Sequence, residues 1–528
     1  NGNDHPNVAY ALNNLGILYT DMGLYSKAEP AILEGLRIRK KHYGDQHIEN
    51  ASSYLALGNL YSDQGKFEEA VQYYLEAIAI RKKFSGEESI VYATYINNLA
   101  LVYHQMGLYK KAESLFIQSM DVRKRKLGEK HPLYAQSLNN LAAVYSDLAQ
   151  YEKAEKFNLE AAELRKQVFG PDNADYAASL NNLANNYEAM GMPEKAEPLL
   201  LQARAIYEKA LGIGHPHYIK VNNNLAAMYS ILGQFQKAEE LCRISLDLRK
   251  KILGPDHPEY ASSLNWLASI FKNTWQYEKA EPLYTEALAI RKRTLGEDHP
   301  DYASTLYNLA VLYRIKGKTK LADSLIRQVI TSRGKVLGEA HPDYADALAG
   351  LAFNYTLQRR YPEAESLYLQ SLAIRKNSQG VKSPAYSGNL FDLAKLYSAT
   401  GEYRKADSCA TQNCLLYLER IKNSMAIFSE TEKRAYLENN SDILRINHSF
   451  LFNHRNHSPA YYLNNYNLQL SLNSMVLSDS RTLLNQIIKS NDTAIQRIYT
   501  EWLSGKSFLS KQYSKPVSAR SQELKSRE

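Results

Sequence analysis

A period of 42 residues runs through this chain and decides most of what it can become. His-Pro stands at His5, His131, His215, His257, His299 and His341, always a multiple of 42 residues apart. The same frame places His47, Ser89, Asn173 and Ser383 at the remaining steps, so ten units cover residues 1–420 without insertion or deletion. With this anchor as position zero, +10 is Leu in every unit, from Leu15 to Leu393. Position +23 is likewise always Ala, from Ala28 to Ala406. Position +14 is Tyr except at Phe271, +3 is Tyr eight times and +20 six times, which is where most of the 40 Tyr against 13 Phe arise.

One unit reads as two helices. Its apolar positions +3, +7, +10, +11 and +14 have helical spacing. Pro at +1 suits a first turn, where its missing N–H is no loss. Gly at +18, as in Gly23, Gly65 and Gly107, marks a left-handed helix end. A second stripe follows at +23, +27 and +30, and Gly at +39 stops the second helix in nine units, from Gly44 to Gly380. Ala149, Trp275 and Arg359 replace the turn Gly, and Pro193 replaces the +20 aromatic, so turn geometry in those units stays open. Such a pair cannot bury its stripe alone, and stacking makes one continuous core. Each fully buried Leu at +10 would contribute about 1.5–3 kcal/mol.

Leu at +10, Ala or Gly at +11, Tyr at +14, Gly at +18 and Ala at +23 resemble the tetratricopeptide repeat (TPR) signature. The 42-residue period, the His-Pro start and the strings Asn139-Asn140-Leu141-Ala142 and Asn181-Asn182-Leu183-Ala184 resemble the kinesin-light-chain subtype. The resemblance implies an all-α fold, a right-handed α-solenoid of ten TPR helix pairs whose first helices line a concave groove.

Function must come from residues that the core does not explain. Position +8 holds Asn13, Asn97, Asn139, Asn181, Asn223 and Asn265, although Asn competes for backbone hydrogen bonds inside helices. An amide donates and accepts, so a row of them can grip the main chain of an extended peptide. Kinesin-light-chain repeats resemble this, and there groove asparagines hold a cargo peptide. The alternative is that these amides bridge neighbouring repeats, with Asn at +9 turned elsewhere. Asn185 adds an amide at +12, Lys220, Lys272 and Arg314 bring cations at +5 or +15, and Tyr307, Phe353 and Phe391 make the last stretch apolar. The expected ligand is a protein or extended peptide with an acidic bias. On this reading, changing Asn139, Asn181 and Asn223 to Ala would remove capture and leave melting unchanged.

Residues 421–528 do not repeat and read as a helical extension opened by the capping box Ser429-Glu430-Thr431-Glu432. Phe428-Ser429-Glu430, Leu477-Ser478-Asp479-Ser480, Ser490-Asn491-Asp492, Glu501-Trp502-Leu503 and Tyr513-Ser514-Lys515-Pro516 resemble the segment that joins TPR arrays to bacterial CHAT domains, caspase-like cysteine peptidases. That resemblance implies a sensor or regulatory module whose peptidase lies outside these residues and could itself be a groove ligand. A stand-alone adaptor is the competing reading. Residue 1 is Asn and no basic-then-apolar leader follows, so the sequence reads as a fragment.

Other chemistry finds little footing. Gly505-Lys506-Ser507 lacks the earlier glycine of a phosphate loop, where Thr500 stands. His454 and His457 share a helix face without a Cys or acidic partner, so no metal or other cofactor is expected. Cys242, Cys409 and Cys414 fall on second helices and suggest no nucleophile. Three cysteines exclude a disulfide scaffold and fit a reducing compartment, so a cytoplasmic location is expected. No apolar run is long enough to span a membrane. Arg81-Lys82, Arg123-Lys124, Arg249-Lys250 and Arg291-Lys292 at +34 and +35 read as a basic ridge on a solvated face. No aromatic platform interleaves it, so nucleic-acid binding is not expected.

Overall fold

The computed structural model describes residues 4–425, and Asn1–Ser424 form one compact unit. Among the described residues there are twenty helices and no strand. They pair from Pro6–Asp21 with Tyr25–Tyr43 in unit one to Pro384–Ala399 with Tyr403–Met425 in unit ten. The motifs between Phe428 and Pro516, and with them His454, His457 and Gly505, lie outside the described residues.

Local chemistry sets each boundary. The position-zero histidine caps the first helix, its Nδ1 accepting the backbone N–H two residues on, at 3.1 Å for Leu133 and 2.9 Å for Asp343. Asn173 does the same with its side-chain oxygen, and Ser89 and Ser383 accept the N–H three residues on. The turn then takes positive φ, 67° at Gly23 and 71° at Gly65. Ala149, Trp275 and Arg359 adopt it too, at 55°, 63° and 61°. The turn is thus kept without glycine, at a cost of about 1–2 kcal/mol each.

The apolar stripes do what their spacing predicts. Every Ala at +23 has no exposed surface, and every Leu at +10 from Leu57 to Leu393 is at most 6% exposed. Leu15 is 39% exposed because no described helix lies before it to cover it. First helices of successive units approach one another more closely than second helices do, so they line the inside of the curve.

The curve closes. His299 reaches the backbone of Asp63, and His341 that of Gln105, each 236 residues earlier in sequence. Position zero of units eight and nine therefore rests on the turns of units two and three. Six helix pairs complete one turn of the coil, and its second turn sits on its first.

Candidate functional site

The amides at +8 are placed between helices rather than on an open wall. Asn97, Asn139, Asn181 and Asn223 are 2–7% exposed, and Asn265 is half-buried. The +9 amide of one unit donates to the +8 oxygen of the unit before it. Asn140 reaches Asn97 at 3.0 Å, Asn224 reaches Asn181 at 2.8 Å and Asn308 reaches Asn265 at 3.2 Å. Asn139 is more committed still. It donates to Asn158 at 3.1 Å and accepts from Arg165 at 3.0 Å and Ser179 at 2.9 Å. This corrects the expectation for these amides: first helices pack closely enough to enclose +8, so it faces a neighbour rather than a ligand. The triple Ala change should accordingly lower melting rather than spare it.

The other candidates divide. Asn185 and Lys220 are exposed, and Asn185 accepts from Asn224 at 3.1 Å. Lys272, Arg314 and Tyr307 are half-buried and lie together on the inner side of units seven and eight. Arg314 stacks on Phe353 at 4.6 Å, and the Tyr307 hydroxyl packs where a Cβ on Gly350 would stand 2.5 Å away. Burial lowers the pKa of both cations, and for Lys272 the nearby Arg314 lowers it further. Neither has an ion-pair partner among the described residues. Asp392 acts on Arg314 only from a distance, so two cations held close with no ion-pair partner form a standing demand for negative charge.

A second inner feature escaped the sequence reading. A cavity of about 320 Å³ opens on the first helices of units one to three, lined by Ile17, Asn59, Ser62, Asp63, Asn98 and Gln105 among others. Loss of hydration, and then Asp21 beside it, pushes the Asp63 carboxyl up to about 6. Asn98 is the +9 amide whose partner position is Leu55, which is why no amide pair forms there. The inner face is therefore acidic and amide-rich in early units, and cationic and aromatic in later ones.

The basic ridge is corrected by half. Arginine at +34 is buried except at the half-buried Arg81, which lies over Tyr95: Arg123 is 1% exposed, and Arg39, Arg165, Arg249, Arg291, Arg333 and Arg375 are 3–8%. Each of these seven buried arginines staples its unit to the next. Arg123 donates to the Leu133 carbonyl at 3.1 Å and the Ser137 hydroxyl at 2.8 Å, and Arg165 does so to Asp175 and Ser179 at 3.0 Å each. A signal for this was present: where Tyr207 replaces the arginine, Val221 replaces the serine 14 residues on. Only the lysines are solvated, Lys82, Lys124 and Lys292 pairing with Glu87, Glu129 and Glu297.

The tyrosine excess has a similar cause. Tyr61, Tyr145, Tyr187 and Tyr229 at +14 each donate at 2.7 Å to a glutamate 32 residues earlier, in the preceding unit. Phenylalanine would fill the same space without that bond. Lysine at +22 often covers the ring, as Lys153 does Tyr145 at 4.9 Å.

Burial pushes the Cys242 and Cys414 thiols up to about 12, away from nucleophilic use. Among the described residues no group of three His, Cys, Asp or Glu could hold a metal, and no helix is long and apolar enough to cross a membrane.

Residues 7–83, 91–167, 148–209, 261–335 and 343–412 match a family model described as tetratricopeptide repeat, and 223–259 match a second model of the same description. No curated protein matches this sequence. Among solved structures, one of a putative kinesin light chain of Podosopora anserina with nearly identical TPR-like repeats is 29% identical. It covers 39% of this chain and 97% of its own, with a TM-score of 0.34. BtubC (BKLC) from P. vanneervenii is 20% identical over 44% of this chain and 92% of its own, with a TM-score of 0.37. A Rap protein complexed with competence and sporulation factor is 12% identical over 70% and 98%, with a TM-score of 0.47.

Proposed function

Because the chain belongs to the tetratricopeptide repeat family, which typically serves protein–protein interaction, we propose that its inner face captures an acidic segment of a protein partner. The observation that carries this reading is the neighbouring pair Lys272 and Arg314, half-buried and with no ion-pair partner among the described residues. Partial burial strengthens what the pair offers an anion and keeps salt from screening it fully. Lys220 and Asn185 continue the polar surface toward earlier units, and Tyr307 and Phe353 give apolar side chains a place beside the charges. A Glu-rich peptide titrated against the intact chain tests it. Lys272→Met together with Arg314→Met should weaken binding about tenfold or more, near 1.4 kcal/mol or above. Unchanged affinity would refute it. Affinity capture from cell extract, followed by mass spectrometry, would then name the partner.

The motifs from Phe428 to Pro516 support a finer reading, in which this scaffold regulates a caspase-like CHAT peptidase joined to it. That peptidase would itself be a candidate partner, and its setting would be a bacterial cytoplasm. A stand-alone adaptor resembling kinesin light chain is the alternative. The coding sequence after Glu528 separates them: an α/β segment with a His-Gly and a later Cys supports the first, and a stop codon or an unrelated domain sinks it.

A further inference from the structure

The contact between coil turns is built from complementary parts. His299 Nε2 lies 3.1 Å from the Asp63 carbonyl, and His341 Nε2 lies 2.9 Å from that of Gln105. The same imidazoles cap their own helices through Nδ1, so each must be neutral, accepting at one nitrogen and donating at the other. Burial lowers the pKa of both, which keeps them in that form. Beside them, a Cβ built on Gly65 would stand 2.5 Å from Pro300 Cδ, and one on Gly107 would stand 2.7 Å from Pro342 Cδ. Side chains are absent just where the next turn arrives.

Burial traces the same line independently. The +20 aromatics Phe67, Tyr109 and Tyr151 are 5–9% exposed in units two to four, whereas Tyr277 and Tyr361 in later units are half-buried. Gly65 and Gly107 are buried, but the equivalent Gly233, Gly317 and Gly401 are exposed. Leu337, at the end of unit eight, joins the core cluster that contains Phe67. Unit one touches more loosely, with a Gly23 Cβ 3.6 Å from His257. Among the described residues, the helices that meet along this line touch far less than the two helices within each of units one to nine.

We propose that this line of contact is a latch, whose closure fixes the width of the inner trough and whose release lets the coil lengthen and admit a partner chain. The latch stands on the contacts alone; its action as a gate rests on the groove reading above. Stacked units flex by small changes at each interface, so parting one line of contact spreads strain over six of them rather than breaking any.

The repeat supplies matched controls. Asn173 caps its helix at 2.7 Å from position zero, so His299→Asn with His341→Asn keeps the caps and removes only the reach across the gap. The control is His131→Asn with His215→Asn. Gly65→Ala with Gly107→Ala clashes with the prolines, whereas Gly233→Ala with Gly317→Ala carries the same positive-φ strain facing open space. Circular dichroism checks folding, small-angle scattering reads the radius of gyration of the full chain, and hydrogen exchange reads units two to four.

Both latch pairs should enlarge the particle and speed exchange there, while both controls leave these readings alone. If one molecule in ten is open at rest, release should tighten binding of a Glu-rich fluorescent peptide about tenfold. Equal dimensions and exchange in latch and control variants would overturn the latch. Enlargement with unchanged peptide affinity would overturn its role as a gate. A wild-type chain that binds no acidic peptide, yet opens on cue, would refute the groove reading and leave the latch standing.

Discussion

Between units the structure repeats itself; along the inner face it does not. Arg123, Arg165 and Arg291 make the same bonds to the same positions of the following unit, as Tyr61, Tyr145 and Tyr229 do to the preceding one. The inner positions run instead from Asn59, Asp63 and Gln105 in early units to Lys272, Arg314 and Phe353 in later ones. A residue that recurs at every step answers a need present at every step, which is packing. On the reading proposed above, a ligand is met where the recurrence stops.

Breaking a recurrent contact should therefore have the largest effect on stability. Arg123→Ala removes the charged donor that ties the Leu133 carbonyl and the Ser137 hydroxyl to the preceding helix, and should lower stability by about 3 kcal/mol. Urea unfolding, with hydrogen exchange localising the loss to units three and four, checks this. A loss below about 1 kcal/mol would mean the staple is incidental.

Next come the amides, which sharpen the comparison within one position. Asn139→Ala, losing three partners, should cost about 2 kcal/mol. Asn223→Ala should cost less than about 1 kcal/mol, because its Oδ1 has no hydrogen-bond partner. Equal costs would show that burial, not bonding, sets the value of the site. Smaller again is Tyr145→Phe, about 1 kcal/mol, against almost nothing for Tyr103→Phe, where Val71 stands in place of the glutamate. Thermal melts of the two variants side by side would separate them. On the inner face, Lys272→Met should shift stability by less than about 0.5 kcal/mol while weakening acidic-peptide capture. A large loss of stability there would return Lys272 to the packing residues.

The fold was legible because its signals are local and repeated. Pro at +1, Gly at +18 and Gly at +39 mark helix ends at fixed intervals, and the invariant Leu57 and Ala70 sit where their spacing puts them. The site was legible only in part. Helical spacing gives the direction in which Asn139 points, but how deep it lies depends on how near the next first helix comes. Asn at +8 and at +9 point about 100° apart on one helix, and a neighbour fitted between those directions lets them bond across units. Lys272 and Arg314 were readable because they depart from their own column. The cavity above Asp63 needs three units at once, which no single repeat displays.

The bond from His299 to Asp63 spans 236 residues, and this places a demand on how the molecule is made. At about 5–20 residues per second, a ribosome needs roughly 10–50 s to travel that distance. During that interval units two and three are folded but bare along the edge that unit eight and its neighbour will later cover, with Phe67 and Tyr109 near the surface. The nascent coil must wait, stable in its parts, before it can touch itself.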